Sequence, residues 1–108
     1  MAALTAVSIT TSGVAPTMVP ADALGDSVSN TGNEVVEITA GATGATVTFV
    51  AQGRCNHGVL HDLPVVVPAN QTRDIGPFRD LLRWNDVNGK LQWTYDQVVT
   101  VTVGVTAR

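Results

Sequence analysis

The sequence predicts a single all-β domain spanning residues 1–108, an antiparallel β-sandwich of about seven to eight short strands. Short runs rich in Val, Ile and Thr recur at roughly ten-residue spacing and are separated by Gly, Pro, Asn and Asp. The closing run, residues 98–106, alternates Val with Thr or Gly from Val99 onward, which is the period of two of a strand with one buried face. No stretch shows sustained helical periodicity, and 108 residues are a normal length for one domain.

The N-terminal third predicts one strand followed by an irregular segment. Residues 4–11 are expected to form the strand, with Val7 and Ile9 on one face. Residues 12–33 contain Gly, Pro, Asn and Asp too often for a helix or a central strand. This segment is interpreted either as an extended arm that contacts a partner or as a long loop across one end of the sandwich.

The middle of the chain predicts four short strands bounded by turn residues. Their ranges are 34–39, 45–51, 64–68 and 71–75. The side chains expected to face the core in the first two are Val36, Ile38, Val47 and Phe49. The third strand lies between two prolines, which suits the edge of a sheet or the ends of a short strand. Residues 52–62 are expected to be a loop or a bulged connection.

The C-terminal third predicts a hairpin. Asn88-Gly89 tolerates positive φ at both central positions of a type I′ turn. Leu91 begins an alternation of large apolar and polar residues that predicts the second hairpin strand. Residues 78–84 are interpreted as the strand or extended chain that enters the hairpin, with a single helical turn as the alternative.

The last strand is expected to anchor the core. Its inward-facing side chains would be Val99, Val101, Val103 and Val105. Strand number and spacing fit both jelly-roll and immunoglobulin-like sandwiches.

Composition excludes several classes of function. The net charge is −3, and Lys90 is the single lysine, so binding to nucleic acid through its phosphates is not expected. The apolar runs are too short to span a membrane, and the N-terminal sequence lacks the regions of a secretory signal. Charged residues are only 14% of the chain, which favours a surface packed against a partner over one left in solvent. A compact domain with a Thr-rich exposed face is the alternative.

Catalytic and metal-binding signals are weak. Cys55, His57 and His61 are the candidate metal ligands, but their spacing matches no standard zinc motif, so no metal and no cofactor are predicted. A Cys–His nucleophile pair would need an activating environment that the sequence does not indicate. The Asp residues are scattered at turns, where aspartate is common. The chain is therefore predicted not to be an enzyme.

Aromatic residues offer a candidate binding platform. Trp93 and Tyr95 share a face with Leu91, so core packing is the expected role for both. Trp84 lies in the segment of uncertain structure, and an exposed position would suit a sugar or a protein partner.

Several stretches together resemble a known family. They are Gly13-Val-Ala-Pro-Thr, Ala23-Leu-Gly-Asp26, Asn30-x-Gly-Asn33, the run from Val65 to Phe78, the Asn-Gly turn and the terminal valine strand. In this pattern the chain resembles the small β-sandwich virion proteins encoded among the head genes of tailed bacteriophages, especially those of actinobacteria. The resemblance covers nearly the whole chain, and the segments 55–62 and 79–85 depart from it by being more charged or polar.

The resemblance implies a non-enzymatic structural role in the virion, such as a capsid decoration (cement) protein on the outer surface of the head or another minor head protein. The implied partner is the major capsid protein, with a homo-oligomer such as a trimer, or many copies on the shell. The candidate partner-binding residues are Val14, Pro16, Met18, Val19, Pro20 and Trp84. A tail or connector component, a carbohydrate-binding module of a virion fibre and a small hydrolase remain the alternatives.

Overall fold

The structure, a computed structural model, describes residues 2–53 and 61–108. In this described part of the chain, two five-stranded sheets with ten short strands pack against each other around one core, so the predicted all-β sandwich is confirmed. The strands are β1 (Ala2–Leu4), β2 (Val7–Ser8), β3 (Val19–Pro20), β4 (Asp26–Ser29), β5 (Glu34–Thr39), β6 (Ala45–Phe49), β7 (Leu63–Val67), β8 (Thr72–Ile75), β9 (Lys90–Tyr95) and β10 (Thr102–Ala107), and one short helix, α1, is Leu81–Trp84.

The first sheet has the strand order β1-β4-β9-β6-β7. The second sheet has the order β2-β10-β5-β8, and β3 also pairs with β10. Most neighbours are antiparallel, as predicted, but β1 pairs with β4 and β2 with β10 in parallel. The N-terminal strands therefore close one side of the sandwich, and β7 and β8 form the opposite side.

The core forms where alternate strand residues of both sheets meet. Val36 and Ile38 of β5 are buried, as predicted, and so are Val103 and Val105 of β10, which lie opposite them in the second sheet. Phe49 of β6 packs with two other aromatic side chains, Phe78 and Trp93. Its ring centroid lies 4.6 Å from that of Phe78 and 5.6 Å from that of Trp93.

The edge strand β7 contains Pro64 at a position where the missing N–H removes no hydrogen bond to the neighbouring strand β6. The Thr46 carbonyl accepts from the Asp96 N–H at 3.1 Å, on the β9 side of β6. Because backbone groups alternate along a strand, Val47 faces β7, and its partner Val65 faces β6. Pro64 therefore turns its backbone away from the sheet, as the predicted edge position requires.

The N-terminal prediction needs correction. The single strand expected over residues 4–11 is two strands in different sheets, because the chain crosses from β1 to β2 at Thr5 and Ala6. Val7 is half-buried and Ile9 is exposed, so these two residues do not form a core face.

The segment 12–33, expected to be irregular, contains β3 and β4. β4 pairs with both β1 and β9, so it lies inside the first sheet. Pattern reasoning missed it because turn residues surround it closely and because its core-facing residue nearest the turn is Asp26. The part of the segment that could act as an arm is thereby reduced to the residues before β3.

The interpretation of residues 78–84 as extended chain is wrong. Residues 81–84 form one helical turn because the Asp80 side chain caps its start, accepting from the Arg83 N–H at 3.3 Å. The entering arm of the hairpin is thus reduced to an isolated bridge between Asn85 and Leu91. The predicted type I′ turn is also wrong, since Gly89 has positive φ and Asn88 does not.

The start of the last strand is displaced from its predicted position. Val99 is 65% exposed, contrary to the prediction, whereas Val101 is buried as expected. The reason is a turn between β9 and β10, in which the Val101 N–H donates to the Val98 carbonyl at 3.2 Å and Thr100 has a φ of 55°.

Candidate interaction surface

Residues 9–18 cross the outer face of the second sheet, and we call this segment the strap. The strands before and after it, β2 and β3, both pair with β10. The strap lies between those two pairings and contains three of the predicted partner-binding residues, Val14, Pro16 and Met18. The Ile9 N–H donates to the Ala107 carbonyl at 2.9 Å where the strap begins.

The strap side chains alternate in exposure. Val14, Pro16 and Met18 are half-buried, whereas the residues between them are exposed. This period of two resembles that of a strand, although here the buried side chains rest on the face of a sheet. The predicted residues Val19 and Pro20 form β3 at the edge of β10.

Gly104 provides the seat for the strap. Val103 and Val105 point into the core, so Gly104 faces outward on β10. A Cβ atom at Gly104 would lie 2.7 Å from Met18 Sδ, 2.9 Å from Pro16 Cβ and 3.0 Å from the Thr17 carbonyl oxygen. The missing side chain is therefore what allows the strap to approach the sheet.

Substitution Gly104→Ala tests this seat. In an uncovered strand, alanine is more favourable than glycine by roughly 0.5–1 kcal/mol. Beneath the strap, the added methyl group is expected to cost about 1–3 kcal/mol, as for other overpacked sites. Urea unfolding should show a lower free energy of unfolding, and the backbone amides of residues 10–18 should exchange hydrogen faster.

The matched control is Thr102→Ala, which changes another outward position of β10. It should leave exchange in the strap unchanged. A gain in stability for Gly104→Ala, with unchanged strap exchange, would show that the strap does not rest there.

A pair of carboxyl groups lies beside the strap. Glu37 of β5 and Asp74 of β8 are directly opposite in the sheet, and they line a cleft of about 190 Å³ together with Val14, Pro16 and Arg108. Burial raises the pKa of Glu37, and the Asp74 carboxyl beside it raises that pKa further. Protonation of Glu37 removes the repulsion between its carboxyl group and that of Asp74.

Trp84 does not provide an exposed aromatic platform. It is only 8% exposed, and its ring packs edge-on against Phe78, with a centroid separation of 5.3 Å. The Arg83 guanidinium covers it, 4.6 Å from the ring centroid. The carbohydrate-binding alternative therefore loses the side chain on which it depended.

The candidate metal ligands Cys55 and His57 lie outside the described residues. His61 is described and exposed, and its backbone carbonyl accepts from Arg83 Nη2 at 3.1 Å. Within residues 2–53 and 61–108, no group of three or more His, Cys, Asp or Glu side chains is placed to hold a metal ion.

A buried polar chain crosses the end of the first sheet near the start of β4. Trp93 Nε1 donates to the Tyr95 hydroxyl at 2.8 Å, and that hydroxyl donates to Asp26 Oδ2 at 2.5 Å. The direction is fixed because an indole N–H can only donate. Asp26 is completely buried, its Oδ1 has no hydrogen-bond partner among residues 2–53 and 61–108, and burial raises the pKa of its carboxyl group.

Asp26→Asn should change how stability depends on pH. The folded state holds the Asp26 pKa above its value in the unfolded chain, so the native state binds more protons between those two values. This contribution to stability is complete below about pH 4, the ordinary carboxyl pKa, and is lost as pH rises through the folded pKa. Urea unfolding of both proteins at a series of pH values should show the stability of the wild type falling relative to that of the variant as pH rises.

The Asn side chain of the variant still offers an oxygen that accepts from the Tyr95 hydroxyl. The pH-dependent part of the stability difference therefore comes from ionisation of the Asp26 carboxyl group. A constant difference in stability between the two proteins across the acid range would contradict the raised pKa.

Both ends of the sandwich expose single large apolar side chains. Leu82 of α1 is 90% exposed and Val87 at the hairpin tip is 100% exposed, at the end where α1 lies. Leu24 and Val99 are exposed in loops at the other end. These residues stand apart from the core and are available for contact with a partner.

No protein family matches this chain, and no curated protein and no solved structure matches it significantly. No helix among the described residues is long and apolar enough to cross a membrane.

Proposed function

We propose that this protein is a non-enzymatic structural protein of a bacteriophage virion, a capsid decoration protein that binds the outer surface of the head shell. The observation that carries the proposal is the strap. It lies across the outside of a sandwich whose core cluster does not include it, with Val14, Pro16 and Met18 half-buried against the sheet and the residues between them exposed. Together with the sequence resemblance, this arrangement supports a structural protein that binds its partner through its outer surface.

The charge of the chain supports a position outside the shell. A protein with a net charge of −3 and one lysine is repelled by packaged DNA. The major capsid protein is the proposed partner, contacted by the strap and by exposed apolar residues at one end. Many symmetric copies on one shell, or a homo-oligomer such as a trimer, would gain avidity from individually weak contacts.

The test is co-sedimentation of the purified protein with empty shells from its source particle, with the bound copies counted. Hundreds of copies per shell are the expected result for a decoration protein. A handful would point to a vertex, connector or tail position instead. No binding would contradict the proposal.

A strap variant sharpens this test. Replacing Val14, Pro16 and Met18 together by Ser removes the apolar side chains of the strap and changes no residue of a strand. Binding should be lost while the cooperative unfolding transition is retained. The matched control replaces exposed Thr94 and Ser29 of the first sheet by Ala and should bind like the wild type.

A further inference from the structure

A cavity of about 380 Å³ lies at a break in the edge of the second sheet. On this edge of β10, the pairing with β3 ends at Val103 and the pairing with β2 begins at Thr106. Gly104 and Val105 lie between the two pairings, and both line the cavity. The cavity therefore occupies a place where, in the described part of the chain, β10 has no neighbouring strand on this side.

The backbone of β10 faces the cavity at this break. The Ala21 N–H donates to the Val101 carbonyl at 3.0 Å, and the Ile9 N–H donates to the Ala107 carbonyl at 2.9 Å. Because backbone groups alternate along a strand, the N–H of Val105 is directed to the same side. The registers of β2 and β3 place no residue opposite Val105. Val105 therefore provides a backbone donor at the wall of the cavity.

The walls of the cavity are mainly apolar, and none of the described residues that line it is charged. Its four larger aliphatic side chains are Leu4, Val7, Val19 and Val105. Two threonines, Thr5 and Thr17, also line it, and both are exposed. Since an ion buried without a partner loses its hydration at a high cost in free energy, this lining favours an uncharged ligand.

The cavity is held open by the packing of the chain around it. The strap rests so closely on β10 that a Cβ atom at Gly104 would lie 3.0 Å from the Thr17 carbonyl oxygen. On the other side of the break, Leu4 packs against the hydrophobic core. Both walls are thus fixed by the fold, as in the preformed pockets that bind small molecules.

The size of the cavity indicates a compact ligand. An apolar cavity of about 150 Å³ holds one benzene ring, so 380 Å³ has room for two fused rings and a small substituent. The break from Val103 to Thr106 is three residue steps, about 10 Å along β10. A long alkyl chain would extend beyond this length.

We propose that this cavity binds an uncharged aromatic compound of about two fused rings that carries a hydroxyl group. The rings contact the aliphatic walls, and the hydroxyl oxygen accepts from the Val105 N–H. The proposal is independent of the virion role, because no other protein takes part in the binding.

The test is titration of the isotope-labelled protein with 2-naphthol at neutral pH, followed by the NMR shifts of the backbone amides. Saturable shifts are expected at Gly104 and Val105, with a Kd of about 1 mM or lower. Naphthalene-2-sulfonate has the same rings and a negative charge, and it should bind at least about tenfold more weakly. Absence of saturable shifts, shifts confined to other residues or equal binding of both compounds would each overturn the proposal.

A pair of variants tests the location of the site. Val7→Phe adds a ring to a residue that lines the cavity, and 2-naphthol binding should weaken at least about tenfold. Ser8→Phe is the matched control, since Ser8 is the next residue of β2, is exposed and does not line the cavity. It should bind like the wild type. Undiminished binding by Val7→Phe would place the ligand elsewhere, and urea unfolding of both variants shows whether each is folded.

Discussion

Gly25→Ala is expected to destabilise the protein by about 2–5 kcal/mol, the sum of a backbone cost and a steric cost. Gly25 has a φ of 97°, a conformation that residues with a side chain rarely adopt. A Cβ atom there would also lie 2.5 Å from the Trp93 carbonyl oxygen. That oxygen belongs to the backbone of β9, which pairs with strands on both sides and cannot move away.

Gly13→Ala separates the two costs. Gly13 also has positive φ, 86°, but a Cβ atom there would meet no atom of the described residues within 4 Å. Its substitution should cost only the backbone part, about 1–2 kcal/mol. Urea unfolding of both variants measures the difference. Equal losses would mean that β9 does not approach Gly25 as closely as the structure places it.

Phe49→Ala is expected to cost about 3–5 kcal/mol, as truncation of a buried aromatic side chain does. Phe49 is completely buried and contacts Phe78 and Trp93. Removing its ring leaves a cavity between the first sheet and the segment that leads into α1. Unfolding in urea and a lowered Tm should both report the loss.

Thr48→Ala is the control for Phe49→Ala, since Thr48 is the preceding residue on the opposite face of β6. It should change stability by less than about 0.5 kcal/mol, in the range of surface substitutions. A similar cost for both variants would place the core of the first sheet elsewhere.

Alternation of apolar and polar residues predicted the strands that lie between two well-marked turns. The range of β5 was predicted residue for residue, and β7 and β8 within one residue. β4 could not be found in this way, because turn residues surround it closely and Asp26 occupies a core position. A single helical turn such as α1 is too short to produce a periodic signal.

The candidate surface was partly predicted. The sequence placed partner-binding residues at Val14, Pro16 and Met18, and these side chains do lie together in the strap. The sequence does not indicate that they rest on a sheet, since nothing distinguishes Gly104 from any other small residue on the polar face of a strand. Trp84 was assigned to the same group, and its burial against Phe78 depends on a contact that no local pattern reveals.

The proline in β7 has a consequence for crowded conditions. A sheet edge with free N–H and C=O groups can template the strand of another molecule and start aggregation. Pro64 has no N–H to offer there, and Pro68 follows immediately after the strand. The β7 edge of the first sheet thus resists edge-to-edge growth, which hinders copies at high concentration from joining through this edge into continuous sheets.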